Sequence, residues 1–320
     1  MTLPLPTLGV RANRARPWRR SIRHRLPLYL AVAPFFLLFI AFGLYPTLYS
    51  LVLSFQDWNG LGAPEWVGLA NYERLIGDAT FWLSIRNTLI IFALSTFPML
   101  IIALVTAAML NSAVRFSTAY RIAYFLPNIT SVVAMAVLFG AIFGERFGIV
   151  NTVLRSLDLS GVGWLTTPFG IQITISILIT YQWTGYNAII FLAGMQSIGG
   201  DLYEAAKIDG AGPIRAFLSI TLPLLRPTIL FVLVISTITG LQSFTEAQVL
   251  TGSGAAVNAN AGGAGQGGLT TVLYFYQQAF SFNRFGYGAA IAWGIFLLVV
   301  LATIINWRLS SERSEKGRKR

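Results

Sequence analysis

Polar residues are sparse along this chain, and the apolar runs between them are long. Six runs reach membrane-crossing length, at 28–53, 87–110, 122–143, 170–195, 227–250 and 286–307. A helix rises about 1.5 Å per residue, so about 20 residues cross a hydrocarbon core about 30 Å thick. The pattern predicts six transmembrane helices and an all-α, polytopic membrane fold. Pro34 and Pro46 in the first run and Pro98 in the second predict bends, since proline removes an N–H and crowds the preceding turn. Gly140-x3-Gly144 offers the third run a small-residue face for helix contact. Gly286, Ala290 and Gly294 do the same in the sixth.

The polar interruptions differ in character. Residues 54–78 are polar and aromatic, with turn signals at Asn59-Gly60 and Gly62-Ala63-Pro64 and rings at Trp58, Trp66 and Tyr72 that suit a membrane interface. Residues 144–169 form a polar connection closed by Thr167-Pro168. The stretch 251–268, rich in Gly, Ala and Asn, reads as a flexible linker. The loop at 197–226 is denser in information, and its centre reads DLYEAAKIDGAGPIRAFLSITLP from Asp201 to Pro223. Its spacing predicts two short helical pieces, 202–208 and 213–222, with Pro213 at a helix start. Gly210 and Gly212 stand at the bend, where a positive φ or close approach is needed. Such a surface suits docking to another protein, and equally an amphipathic loop lying at the membrane interface.

Composition agrees with the runs. The 320 residues are 55% hydrophobic and only 11% charged, where soluble domains carry about one quarter charged residues. A net charge of +11 raises the question of nucleic acid, and the placement of the charges argues against it. Six crossings put both ends and the 197–226 loop on one side. Of the 23 Lys and Arg residues, five (Arg74, Arg86, Arg146, Arg155 and Arg284) fall on the other side and 18 on this one. The excess makes that side cytoplasmic, with basic tails at 1–27 and 308–320 flanking a membrane domain at 28–307. A secretory signal is a poor fit, because the A-x-A at 31–33 falls near the start of the apolar run, whereas cleavage should follow it.

Several chemistries are excluded. There is no cysteine, and the lone His24 sits in the Arg-rich tail, so no thiolate or histidine metal site can form. No GxxxxGK[ST] phosphate loop occurs around Lys207, Lys316 or Lys319, so the chain is not expected to hydrolyse ATP itself. If solute moves uphill, a partner supplies the energy. Within the spans, Glu246 stands out near Gln242 and Ser243, and an ionisable group in a membrane marks a functional site by default. A solvated, structural position near the outer boundary is the alternative. Gln182, Trp183, Tyr186 and Asn187 in the fourth run offer amides and ring faces suited to a sugar, or to helix packing and an interfacial belt.

Glu204-Ala205-Ala206, Gly210, Ile220 and Leu222-Pro223 reproduce the spacing EAA-x3-G-x9-I-x-LP. This resembles the EAA loop of the permease subunits of ATP-binding-cassette (ABC) importers. LYPTLYSLVLSFQDWNG, WVGLANYERLIGD, YRIAYFLPNITSVVAMAVLF and TVLYFYQQAFSFNRFGYGAAIAW are similar to the carbohydrate-type members, particularly the first permease of maltose- or glycerol-phosphate-type systems. The resemblance implies the type I importer permease fold in a cell (inner, cytoplasmic) membrane. It implies a heterodimer with a second permease, two ABC ATPase subunits that use ATP and Mg, and an extracytoplasmic solute-binding protein. By the same resemblance, Glu204, Ala205, Ala206, Asp209, Gly210, Gly212, Ile220, Leu222 and Pro223 belong to the elbow that meets the ATPase. Gln182, Trp183, Tyr186, Asn187, Gln242, Ser243 and Glu246 are the candidates to line the path of a sugar. Where the family carries a short TGGGP-like turn after its fifth span, this chain reads Thr251-Gly252-Ser253-Gly254 and continues without proline. A polyol or glycerol phosphate as cargo, or an ion-driven carrier, are the alternatives. The first would favour cations in the pathway, and the second would show internal repeats and paired ionisable groups.

Overall fold

The computed structural model describes residues 19–111, 117–252 and 261–318. The chain divides between Val52 and Leu53 into two compact units.

The first unit holds the opening span. Helix α1 (Arg19–Phe39) starts nine residues ahead of the expected apolar boundary, inside the stretch read as a basic tail. Most of that tail, and its arginines' side chains, lie outside the described residues. A π turn at Ile40–Leu44 leads into α2 (Tyr45–Leu53). In that turn Tyr45 N–H bonds the carbonyl of Ile40, five residues back, just before Pro46. Tyr29–Leu53 remains one 25-residue apolar span.

The second unit opens with a two-strand ribbon, β1 (Gln56–Asp57) antiparallel to β2 (Glu65–Trp66), and α3 (Ala70–Gly77). Helix α4 (Ala79–Asn111) begins eight residues earlier than the apolar run suggested. Asp78 caps it, accepting from the N–H groups of Thr80 (2.9 Å) and Phe81 (3.3 Å). The helix runs on through Pro98. Next come α5 (Ser117–Ile129) and α6 (Val132–Ile142), which meet at 94°. The third run was expected as one helix. Pro127 in the last turn of α5 and the extended Ser131 (φ −54°, ψ 125°) break it. A short α7 (Ile149–Ser156) follows, then the central α8 (Pro168–Gln196). Thr167-Pro168, read as closing a loop, opens that helix instead: Thr167 Oγ1 accepts from Gly170 N at 3.1 Å, with Pro168 at the first helical position.

Helices α4 and α8 pack along their length in a register that fixes their relative direction. Gln172 Nε2 donates to Asn87 Oδ1 (3.0 Å), Ser176 Oγ to Ile91 O (3.3 Å) and Thr180 Oγ1 to Ser95 O (3.1 Å). Both residue numbers climb together, so the two helices run parallel. Parallel neighbours require a return crossing between them, and the bent α5–α6 pair is the apolar element available for it.

The elbow follows as α9 (Gly200–Ile208), α10 (Pro213–Ala216), a π turn at Phe217–Thr221 and α11 (Leu222–Leu224). It bends by 66° into α12 (Arg226–Gly240). The fifth run, expected as one helix over 227–250, is broken at 241–244 before α13 (Thr245–Leu250). Gly240, with no side chain to stiffen the turn, precedes the break, and Thr270 Oγ1 donates to the carbonyl of Ser243 (2.8 Å). That bond satisfies backbone the helix would otherwise have paired. Residues 261–270 correct the flexible-linker expectation. Ala261, Leu269 and Thr270 are buried, and a Cβ on Gly267 would stand 2.3 Å from Pro168 O. Glycine here permits close packing of backbone on backbone; residues 253–260 lie outside the described ones. The chain ends with α14 (Thr271–Tyr276), a π turn at Gln277–Ser281 and α15 (Phe285–Arg318), which continues past residue 307 into the expected tail.

Among the described residues four helices are thus long and apolar enough to cross a membrane, and counting each bent pair as one span brings the number to six. The small-residue face of α15 is used, against α3, α4 and the ribbon: Gly286 lies against Gln56 O, and Gly294 against Phe81 and Leu75. Among the described residues nothing approaches within 4 Å of where a Cβ on Gly140 would be. Gly144 lies beyond α6, facing Gly148 across a turn.

Candidate functional site

Six of the seven pathway candidates line one cavity of about 220 Å³. Trp183, Tyr186 and Asn187 reach it from α8, and Gln242, Ser243 and Glu246 from the break after α12. Gln182 does not. It is buried on another face of α8, and its Oε1 has no hydrogen-bond partner among the described residues. Helical periodicity explains the split, because adjacent residues point about 100° apart on a helix.

The break after α12 builds the site. It turns α13 so that Ser243 Oγ donates to Glu246 Oε2 (3.1 Å). Trp183 and Tyr186 meet edge to face with centroids 5.8 Å apart, and Asn187 Nδ2 donates to Trp183 O (3.1 Å). The α4 wall carries Thr96 and Met99, and α12 adds Ser236, Thr239 and Gly240. Sequence reading missed these, although Ser236, Gly240 and Ser243 recur at intervals of three to four residues within an apolar run. Thr96 and Trp183 stand within a residue of the midpoints of the 33-residue α4 and the 29-residue α8. The cavity therefore lies at mid-depth of the two longest buried spans, and Glu246 lies with it.

The elbow is the second assembled feature. Helix α9 stops where Ala211 N–H bonds Ala206 O (2.9 Å), with Gly210 left-handed at φ +75°. Gly212, read as a second candidate for positive φ, is extended at φ −70°, ψ 168° and precedes Pro213. Glu204, Ala205, Asp209, Gly210 and Gly212 are exposed, while Ala206, Ile220, Leu222 and Pro223 are half-buried. Beside them, Ile208 and Ile214 are 87% and 76% exposed. Tyr203 OH and Thr221 Oγ1, 2.8 Å apart, tie α9 to the π turn and were not singled out from sequence.

A buried polar knot at the other end of the bundle was also missed. Tyr274 and Tyr287 both donate their hydroxyls to Asp78 Oδ2, the latter at 2.5 Å, and Arg74 lies 4.2 Å over the Tyr287 ring. Burial raises the Asp78 carboxyl's pKa, but the hydrogen bonds from Tyr274, Tyr287, Phe81 N and Thr80 N outweigh it and hold the group below its ordinary value. Burial, then the neighbouring Asp78, push the Tyr274 phenol up. The knot fastens α4, α14 and α15 together and takes no part in the cavity.

Residues 81–311 match the family model described as binding-protein-dependent transport system inner membrane component. The chain belongs to this family. It is a multi-pass membrane permease of an ABC importer, and it is not an enzyme. Among its relatives, the lactose transport system permease protein LacF of Rhizobium radiobacter is 39% identical over 290 residues, covering 89% of this chain and 94% of the relative. The arabinooligosaccharides transport system permease protein AraP of Bacillus subtilis is 36% identical over 291 residues, 90% of each chain. A solved bacterial ABC transporter involved in import of the acidic polysaccharide alginate superposes with a TM-score of 0.79. That match covers 92% of this chain and 98% of the other at 23% identity, which speaks to the fold.

Proposed function

We propose that this permease forms half of the pathway by which a sugar, mono- or oligosaccharide, enters the cell, with the 220 Å³ cavity as its part of the route. The elbow receives the mechanical signal. A second permease supplies the facing half, two ABC ATPase subunits use ATP and Mg, and a solute-binding protein delivers the sugar outside the cytoplasmic membrane. Both termini and the elbow face the cytoplasm in this reading. The permease domain spans residues 28–307 and the coupling loop 197–226. Relatives named for lactose and arabinooligosaccharides support a sugar as cargo. Sugars present hydroxyls and flat CH faces, which the amides, hydroxyls and rings around the cavity complement.

One observation carries the reading: two of the helices that wall the cavity are the two that enter and leave the elbow. Helix α8 brings Trp183 and Tyr186 to the cavity and ends at Gln196, just before α9. Helix α12 leaves the elbow at Arg226 and brings Ser236 and Gly240 to the cavity. A displacement of the elbow is thereby handed to the cavity walls by two continuous helices.

The test is reconstitution of this chain with its permease partner, ATPase and binding protein in liposomes, across a sugar panel. Sugar-dependent ATP hydrolysis that disappears when this chain is left out is the expected result. Solute uptake by this chain alone, without ATP, would refute the reading.

A further inference from the structure

The cavity is electrically one-sided. Glu246 is the one acidic side chain lining it, and no Lys, Arg or His lines it. Among the described residues Ser243 donates to the carboxylate at Oε2 (3.1 Å), and Glu246 itself lines the cavity. A carboxylate oxygen accepts hydroxyl hydrogen bonds strongly and offers nothing to another anion. Thr96, Asn187, Ser236 and Thr239 share the walls with Ile179, Ile235 and Phe244, so the charge acts across a protein-lined space, where screening is weaker than in bulk water.

We propose that Glu246 determines specificity: it admits neutral polyhydroxylated sugars by accepting from their hydroxyls and turns away anionic ones, such as uronates, sugar phosphates and sulfonates. The proposal rests on the cavity being the sugar pathway. With an effective dielectric of about 20 and a charge separation of about 5 Å, the repulsion amounts to a discrimination on the order of 100-fold. The neutral partner of such a pair gains a charge-assisted hydrogen bond instead. Trp183 and Tyr186 contribute ring faces that contact either kind of sugar, so they do not discriminate between them.

The experiment uses the complete transporter in lipid nanodiscs without its binding protein, so that upstream selection is absent. Galactose against galacturonate and glucose against glucuronate are matched pairs that differ only at C6. Quenching of the Trp183 fluorescence is the readout, isolated as the difference from a Trp183→Phe transporter. Wild type should bind each neutral sugar about 100-fold more tightly than its uronate. Glu246→Gln, of the same shape, should bring uronate binding up at least tenfold while changing the neutral sugar only a few-fold, and Glu246→Asp should keep the discrimination. An unchanged ratio in Glu246→Gln, with neutral sugars still quenching Trp183, overturns the selectivity role and leaves the pathway standing. No quenching of Trp183 by any of the four sugars in wild type overturns both.

Discussion

Of the described glycines, the one whose added Cβ would stand nearest a neighbouring helix is one that no sequence motif marked. A Cβ built on Gly185 of α8 would stand 1.7 Å from the carbonyl oxygen of Tyr124 on α5, 2.4 Å from its carbon and 3.2 Å from Phe125 N. All three atoms are backbone, so no side-chain rotation relieves the clash. Restoring ordinary contact at 3.4 Å means moving α5 away from α8 by roughly the difference, or distorting one of them. Overpacking by a methyl group costs about 1–3 kcal/mol, and a backbone obstacle belongs at the upper end. Alanine returns about 1 kcal/mol through helix propensity. The expected net effect of Gly185→Ala is a loss of about 2 kcal/mol, or about 4–8 °C in Tm at 2–4 °C per kcal/mol. Gly140→Ala is the control. It is the same substitution inside a helix, with nothing within 4 Å of the added methyl. It should gain up to about 1 kcal/mol and raise Tm by about 2–4 °C. Thermal scans of both variants in one detergent measure the pair. Because Gly185 lies between Trp183 and Tyr186, Gly185→Ala should also slow uptake more than its stability loss explains. Equal Tm shifts for the two variants would show that the α5–α8 crossing is not as tight as described.

Two further outcomes follow from the ends of the bundle. Asp78 has a depressed carboxyl pKa in the fold, so its contribution is whole above the unfolded value of about 4 and is lost as pH falls through the lower folded value. Tm should therefore be flat from neutral pH down to about 5 and fall below about 4, whereas Asp78→Asn should start lower at neutral pH and lose less in acid; parallel pH curves for the two proteins would remove Asp78 from the account. At the elbow, Gly210→Pro removes an N–H that bonds Lys207 O (3.1 Å) and forbids the φ of +75°. It should cut sugar-driven uptake at least tenfold while membrane insertion stays intact, and undiminished uptake by an assembled variant would sink the coupling role.

What could be read from sequence was set by what each signal reports. Apolar run length reports how much chain avoids water, and its six runs fall on the four long apolar helices and the two bent pairs. It is blind to backbone geometry inside a run, so the 94° turn at Thr130-Ser131 and the break at 241–244 were both absorbed into straight helices. The clues were present as Pro127 and Gly240, but each sits amid apolar residues that outweigh it in any window. The elbow was legible because its chemistry is local, with a helix stop at Gly210 and a helix start at Pro213. The cavity was half legible. Polar residues within spans are few enough to name, and six of seven did converge. Thr96, which joins them from α4, looks like any hydroxyl bonded within its own helix until the partner helix is in place. Glycine misled most. The Gly140-x3-Gly144 spacing meets no other helix, while Gly185 and Gly267, read respectively as part of a span and as linker, would bring a Cβ to 1.7 and 2.3 Å of a backbone oxygen.

Under the proposed function, the break at 241–244 would let the cavity respond to the elbow without the whole bundle moving. Below the cavity, α4, α8 and α12 share one packed cluster of Ala103, Ala107, Ala188, Phe191, Met195, Leu225 and Val232, and Gly194 lets α8 close on Leu225 and Thr228. Above it, Ile91, Ile171, Ile175, Leu269, Leu273 and Tyr287 form another, tied to the buried 261–270 segment and neighboured by the Asp78 knot. From Gln196 to Trp183 and from Arg226 to Gly240 the helices rise about 20 Å each, so they reach from the elbow to the cavity as rigid pieces. Packed clusters shift between arrangements and do not stretch, so strain applied at the elbow concentrates where regular backbone stops. In α12 that place is the interruption carrying Gln242 and Ser243, one turn before Glu246. The residue that sets the charge of the cavity thus stands beside the joint at which the lower cluster can turn against the upper one.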